Sequence, residues 1–229
     1  MADFDSADVL SRLRATLQIG SNTADATDAS LYTLLSNGQR RIAQILANVA
    51  PQLNMIAPQA LTSGDSGATY TLSSYPLSNF ELYDGSPNGS PIYPVGYEYI
   101  GANGYVLEGL TIRWPGGRTR TFANGLYARY NPVPVAITAS VAPSIKPSDA
   151  QQGVVYAAAE EFAMQGGAMD PSPYSTALRR FLYGDPNTPG DVGLIGRVQT
   201  QSRRQGLQSA MRGFGGAWWR GGDFLSGPA

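Results

Sequence analysis

The sequence predicts an α+β fold: a helical bundle layer, built from one long early helix and two later ones, with an inserted antiparallel β-subdomain and an extended C-terminal arm. Three observations carry this expectation. Apolar residues recur at helical spacing from Leu31 to Val49. From Thr62 to Tyr130 the pattern changes to short β-type runs punctuated by Gly, Asn and Pro. Helical spacing then returns after the proline-rich stretch "YNPVPVAITASVAPSIKPS", Tyr130 to Ser148. These shifts divide the chain into an N-terminal helical segment (1–61), the inserted β-subdomain (62–130), a proline strap with two helices completing the helical core (131–184), and the arm (185–229).

Element by element, Ser6 to Leu17 is a short amphipathic helix, with Ser6 as N-cap and Leu10, Leu13 and Leu17 on one face. The long helix carries Leu31, Leu34, Leu35, Gly38, Ile42, Ile45, Leu46 and Val49 on its core face, with Thr27 or Asp28 as cap and Pro51 at its end. Gln39, Arg40, Gln44 and Asn48 form its polar outside. In the β-region, "ATYTLSS", "NFELYDG", "YEYIG", "YVLEGLTIRW" and "LYARY" read as strands. "DGSPNGSP", "ANG" and "WPGGRT" between them read as hairpin turns. Nine of the 13 tyrosines fall in this region, so a small sheet or sandwich with aromatic faces is expected. The strap holds four prolines and is too broken for a central strand. A helix capped by Ser148 or Asp149 follows, striped by Val155, Ala158, Ala159 and Phe162. Another runs through Tyr174, Ala177, Leu178, Phe181 and Leu182.

Composition excludes several chemistries. The 229-residue chain has no Cys and no His, which removes disulfides, thiol nucleophiles, histidine bases and ordinary zinc sites. Charged residues make up 14%, against about 25% in an average domain. Such a surface is sticky or is covered by other subunits. The basic residues are all arginine except Lys146, a choice that fits interfaces or a GC-rich coding genome. The net charge of −1 gives no whole-chain case for nucleic-acid binding. "MADFDSADVL" lacks the features of a signal peptide, and no stretch has the length of a transmembrane helix, so a soluble chain without a membrane partner is expected.

No catalytic constellation emerges, and no cofactor or metal is expected. Glu160 and Glu161 are adjacent on a helix and point apart. There is no phosphate-binding glycine motif, and "DFDSAD" lacks the positions of a calcium loop. Asn88-Gly89-Ser90 matches a glycosylation sequon but reads as a turn. In "RWPGGRTR", Trp114 stands beside Arg113, Arg118 and Arg120. This is either a stacking platform for bases or sugars or a hairpin tip making subunit or tail contacts. The tail, "FGGAWWRGGDFLSGPA", cannot pack a core alone. Its aromatics, Phe214, Trp218, Trp219 and Phe224, with Arg203, Arg204, Arg212 and Arg220, read as anchors on an arm that orders against a partner, or as an ordinary disordered terminus.

The stretch "LYARYNPVPVAI…SIKPSDAQQGVVYAAAEEFAMQGG" resembles the bacteriophage head-to-tail adaptor family. It shares a strand ending in an aromatic (Tyr130), a proline strap (Pro132 to Pro134), a Pro-x-acid cap (Pro147-Ser148-Asp149) and a small-residue helix (Val154 to Phe162). The resemblance spans roughly Ala29 to Tyr183. It implies a non-enzymatic virion protein of the neck, assembled in the host cytoplasm into a ring, typically dodecameric, beneath the portal protein. Such a ring extends the channel through which genomic DNA passes, without sequence recognition, and docks the tail or nozzle protein. The competing expectations are a carbohydrate- or receptor-binding virion protein using the tyrosine-rich sheet, and, far behind, a glycoside hydrolase working through two carboxylates.

Overall fold

The structure is a computed structural model that describes residues 4–20, 26–85, 89–95, 104–166 and 169–203. Residues 1–178 form one compact unit and residues 179–229 a second. The α+β expectation is met: among the described residues, five helices accompany one curled, seven-stranded antiparallel sheet.

Helices α1 (Ser6–Leu17) and α2 (Asp28–Val49) begin at capping side chains. For α1 the cap is Asp5 rather than Ser6. Its carboxylate accepts from the Asp8 amide at 2.7 Å while the Asp8 carboxylate accepts from the Asp5 amide, closing a reciprocal box. Ser6 is instead drawn away to the strap, where its hydroxyl donates to the Ala139 carbonyl. Thr27 caps α2. The expected core face of α2 is inside at Leu31, Leu34, Leu35, Gly38, Ile42 and Leu46. Gln39, expected outside, is fully buried, because the strap crosses over that side of the helix.

The strands are β1 (Gln59–Gly64), β2 (Thr69–Thr71), β3 (Pro76–Asp84), β4 (Ser90–Ile92), β5 (Val106–Glu108), β6 (Thr111–Arg113) and β7 (Leu126–Pro132), in the order β4-β3-β7-β1-β2-β6-β5. "YVLEGLTIRW" splits into the β5–β6 hairpin. β1 and β4 are additions to the strands read from the sequence, β4 taking in Ser90 and Pro91 of the stretch read as a turn, and "YEYIG" lies outside the described residues. The two ends of the strand order meet. Beyond β4, the Val95 amide donates to the Tyr105 carbonyl at 2.8 Å, just before β5. Curling in this way covers edges that would otherwise offer unpaired backbone. Alternation along β7 puts Leu126, Ala128 and Tyr130 inside, with Leu82, Leu61, Tyr70, Ile112, Tyr105 and Trp114 from its neighbours. Each such large apolar side chain contributes roughly 1.5–3 kcal/mol by leaving water.

The strap begins inside this sheet. Residues 130–132 belong to β7, which lies between β1 and β3 and is therefore a central strand rather than an interrupted one. Pro132 is accommodated because it is the last residue of β7. Beyond the strap, α3 (Ala150–Gly166) packs against α1 and α2. It is buried on nearly all sides, at Ala150, Gly153, Val154, Val155, Ala157, Ala158, Ala159 and Ala163, not along a single stripe. Small side chains let α2 approach closely: a Cβ on Gly38 would stand 2.7 Å from the Val154 carbonyl oxygen. Glu160 is also buried on α3, held by the Arg41 guanidinium of α2 and the Ser175 hydroxyl. α4 (Ser172–Tyr183) follows, and residues 193–203 form a fifth helix reaching the end of the described residues.

Candidate docking surfaces

An irregular segment on a protein surface must find partners for its backbone amides and carbonyls. The strap finds them in side chains of the helical layer. The Gln39 amide donates to the Val135 carbonyl at 2.8 Å and accepts from the Ser144 amide at 2.8 Å, so one residue of α2 fastens both limbs. Ser36, one position before Asn37 on the same helix, accepts from the Ile137 amide at 2.9 Å. Asn54 pairs with Lys146 through both its amide atoms, each at 2.9 Å. Between the limbs at Thr138 and Val141, two backbone bonds close the tip. Where the strap leaves the sheet, Asn131 donates to the Pro51 carbonyl and accepts from Asn79, tying β7 and β3 to the end of α2.

Beside the strap lies a cleft of about 290 Å³, lined by Ala43, Leu77, Pro132 to Val135 and Ile145. Val135 is 63% exposed and Tyr75, whose carbonyl accepts from the Val133 amide, is 58% exposed. The strap is thus held from beneath by side chains of the helical layer, and Val135 beside Tyr75 leaves an apolar spot on its outer side.

The segment holding Arg113, Trp114, Arg118 and Arg120 is not a hairpin tip. β6 pairs with β2 and β5, whereas the next strand, β7, pairs with β1 and β3, so this stretch is a crossover within the sheet. Trp114 faces the interior, edge-on to Tyr70 with centroids 6.3 Å apart and 5.5 Å from Phe122. The Arg120 guanidinium lies 5.0 Å from the Phe122 centroid and 5.5 Å from that of Trp114, a cation–π arrangement. Arg113 is exposed and pairs with Glu108 at 3.0 Å; Arg118 is exposed. Two of the four residues therefore face outward, and two belong to the core and its cover.

Of the arm residues, Arg203 is exposed at the end of the last helix, where Leu194 and Val198 are buried. Arg204, Arg212, Phe214, Trp218, Trp219, Arg220 and Phe224 lie outside the described residues. The loop leading to that helix is closed by Asp191, whose carboxylate accepts from the Asp185 and Gly193 amides at 2.9 and 3.1 Å. These two bonds lower its pKa.

Three of the sheet's tyrosines, Tyr70, Tyr105 and Tyr130, are buried within the curl, and burial pushes the Tyr105 phenol up to about 12. Tyr83 and Tyr127 are opposite each other on the outer side, in one cross-strand row with Pro91 and Ala60. The Tyr83 hydroxyl donates to Glu81 at 2.6 Å, which raises its pKa.

Sequence reasoning singled out the strap but missed Gln39, Ser36 and Asn54, the residues that hold it. Among the described residues, no group of three or more acidic side chains is placed to hold a metal ion, and no helix is long and apolar enough to cross a membrane. Compared with known proteins, the chain matches no protein-family model and no curated protein.

Proposed function

We propose that this protein is a structural component of a bacteriophage virion: a head-to-tail adaptor that forms a ring beneath the portal protein, extends the DNA channel and docks a tail or nozzle protein. It works at the neck without catalysis or cofactor, after assembly in the host cytoplasm. The observation that carries the reading is the strap, joined to a central strand at one end and a buried small-residue helix at the other, and fastened along its length by α2. A ring subunit needs a stiff element that transmits load between its layers, and side-chain clamps on a proline-rich segment supply one. The exposed apolar strip at Tyr75 and Val135 supports this surface as the contact with the next subunit. A head-to-tail contact of that kind closes into a ring when its rotation closes. The arm, with its aromatics and arginines, is assigned to the portal.

The alternative, a carbohydrate- or receptor-binding virion protein using the tyrosine-rich sheet, rests on the outer row of Tyr83 and Tyr127, since Tyr70, Tyr105 and Tyr130 lie inside. Immunogold labelling of virions separates the two. Label at the single head–tail vertex is expected; label on fibres or the distal tail tip contradicts the adaptor reading.

A further inference from the structure

Among the described residues, six large apolar side chains are left exposed, and four of them fall in two places. Val135 lines the strap cleft, and Tyr75 stands in sequence between two other lining residues, Ser74 and Leu77. The second place is in the unit formed by residues 179–229, where Tyr183 is 63% and Val192 52% exposed. There the backbone after Tyr183 lies directly against the segment around Val192. Gly184 and Gly193 are left-handed, at φ 90° and 59°, and a Cβ on Gly193 would stand 2.6 Å from the Tyr183 carbonyl carbon. Only glycine allows that approach, which fixes Tyr183 and Val192 at one corner.

The cleft is concave, and Leu77, Pro132, Val135 and Ile145 give it apolar walls beside Ser74 and Ser144. Its volume of about 290 Å³ lies at the floor of the small-molecule range, about 300–1,000 Å³, and suits one large side chain. A tyrosine matches such a lining, with a ring for the walls and a hydroxyl for the wet end. Charge indicates where that side chain comes from. Residues 1–178 hold 14 acidic and nine basic residues, whereas residues 179–229 hold three acidic and seven basic. Between two copies, contacts of unlike units are therefore attractive and contacts of like units repulsive. Tyr75, Val135, Tyr183 and Val192 all stay exposed within one chain, which leaves their cover to a second copy. We propose that the Tyr183–Val192 corner of one copy docks in the strap cleft of the next, with the Tyr183 ring as its anchor. This contact rests on the ring-subunit reading and supplies the surface that meets the strap. Joining unlike surfaces leaves a free corner and a free cleft at the two ends until a ring closes.

The chain has no Cys, so single introduced cysteines report contacts without background. Full-length Val135→Cys and Val192→Cys, one of them bearing a mass tag, are mixed and treated with a short bis-maleimide, alone and with portal rings from the same phage. The 135–192 heterodimer should exceed either homodimer about tenfold or more. Tyr183→Ser, added to the Val192→Cys chain, should cut the heterodimer yield about tenfold. Because Tyr183 is exposed, that change should leave the melting temperature of the chain in place. Equal yields of heterodimer and homodimers overturn the proposal, as does a heterodimer yield that Tyr183→Ser leaves unchanged. Closed rings in native mass spectrometry without a 135–192 cross-link overturn this contact and leave the ring-subunit reading standing. A chain that stays monomeric in every mixture overturns both.

Discussion

Gln39 lies on the polar side of an amphipathic helix, yet it is fully buried and makes two hydrogen bonds to one strap. Replacing it with alanine strands the Val135 carbonyl and the Ser144 amide. Gln39→Ala should therefore lower the unfolding free energy by about 2–3 kcal/mol in urea titrations, whereas the exposed Gln44→Ala should stay within about 0.5 kcal/mol. Helical spacing identified every large apolar position of this face, but it cannot tell a polar residue that meets water from one that meets a distant backbone. The strap lies about a hundred residues away in sequence, and no local pattern announces it. Trp114 teaches the same lesson in reverse: flanked by arginines and glycines it looks like a surface platform, and its ring is in the core. Tyr105 gives a residue-scale pH prediction. Its folded pKa of about 12 exceeds the ordinary 10.0, so its contribution to stability is complete below pH 10 and is lost as the pH rises from 10 to 12. Circular dichroism should show alkaline unfolding in that window, displaced upward in Tyr105→Phe.

Among the helices, α2 and α3 form the most extensive pair, and the reason is legible in both sequences. Gly38 on α2 faces the Val154 carbonyl and the Ala157–Ala158 surface of α3. Gly38→Ala gains about 1 kcal/mol of helix propensity, but it forces two backbones apart. A net loss of about 1–2 kcal/mol in thermal unfolding is expected; a gain in stability would mean that the helices have room to separate. The character of α3 was visible as a run of alanines, though its burial on nearly all sides was not, because a helix rich in small residues shows no marked stripe. β1 escaped for a comparable reason. "QALTSG" is polar, short and follows Pro58, and it becomes a strand only because β7 and β2 supply partners on both sides. The interruption read at Tyr130 to Pro132 was overridden by the same pairing.

At the scale of the whole molecule, the strap is fastened to the helical layer, and portal docking is proposed for the arm. Leu194 and Val198 are buried, so the arm is best removed after Arg203 rather than at Asp185. A chain ending at Arg203 should unfold at the same temperature as the full protein, within the shift of 2–4 °C that about 1 kcal/mol produces in a chain of this size. It should bind portal rings more weakly in gradient sedimentation; undiminished binding would move portal docking onto the core. The α+β class and the order of elements were legible in the sequence because periodicity reports them locally. The curl of the sheet and the clamps on the strap were not, because both arise from contacts between distant segments. Ring assembly is the proposal on which the docking roles of strap and arm depend. Native mass spectrometry with negative-stain imaging tests it directly, on the purified protein alone and mixed with portal rings from the same phage. A closed ring of uniform subunit number is expected, formed alone or on the portal and seated coaxially beneath it. A strict monomer that never joins the portal would contradict it.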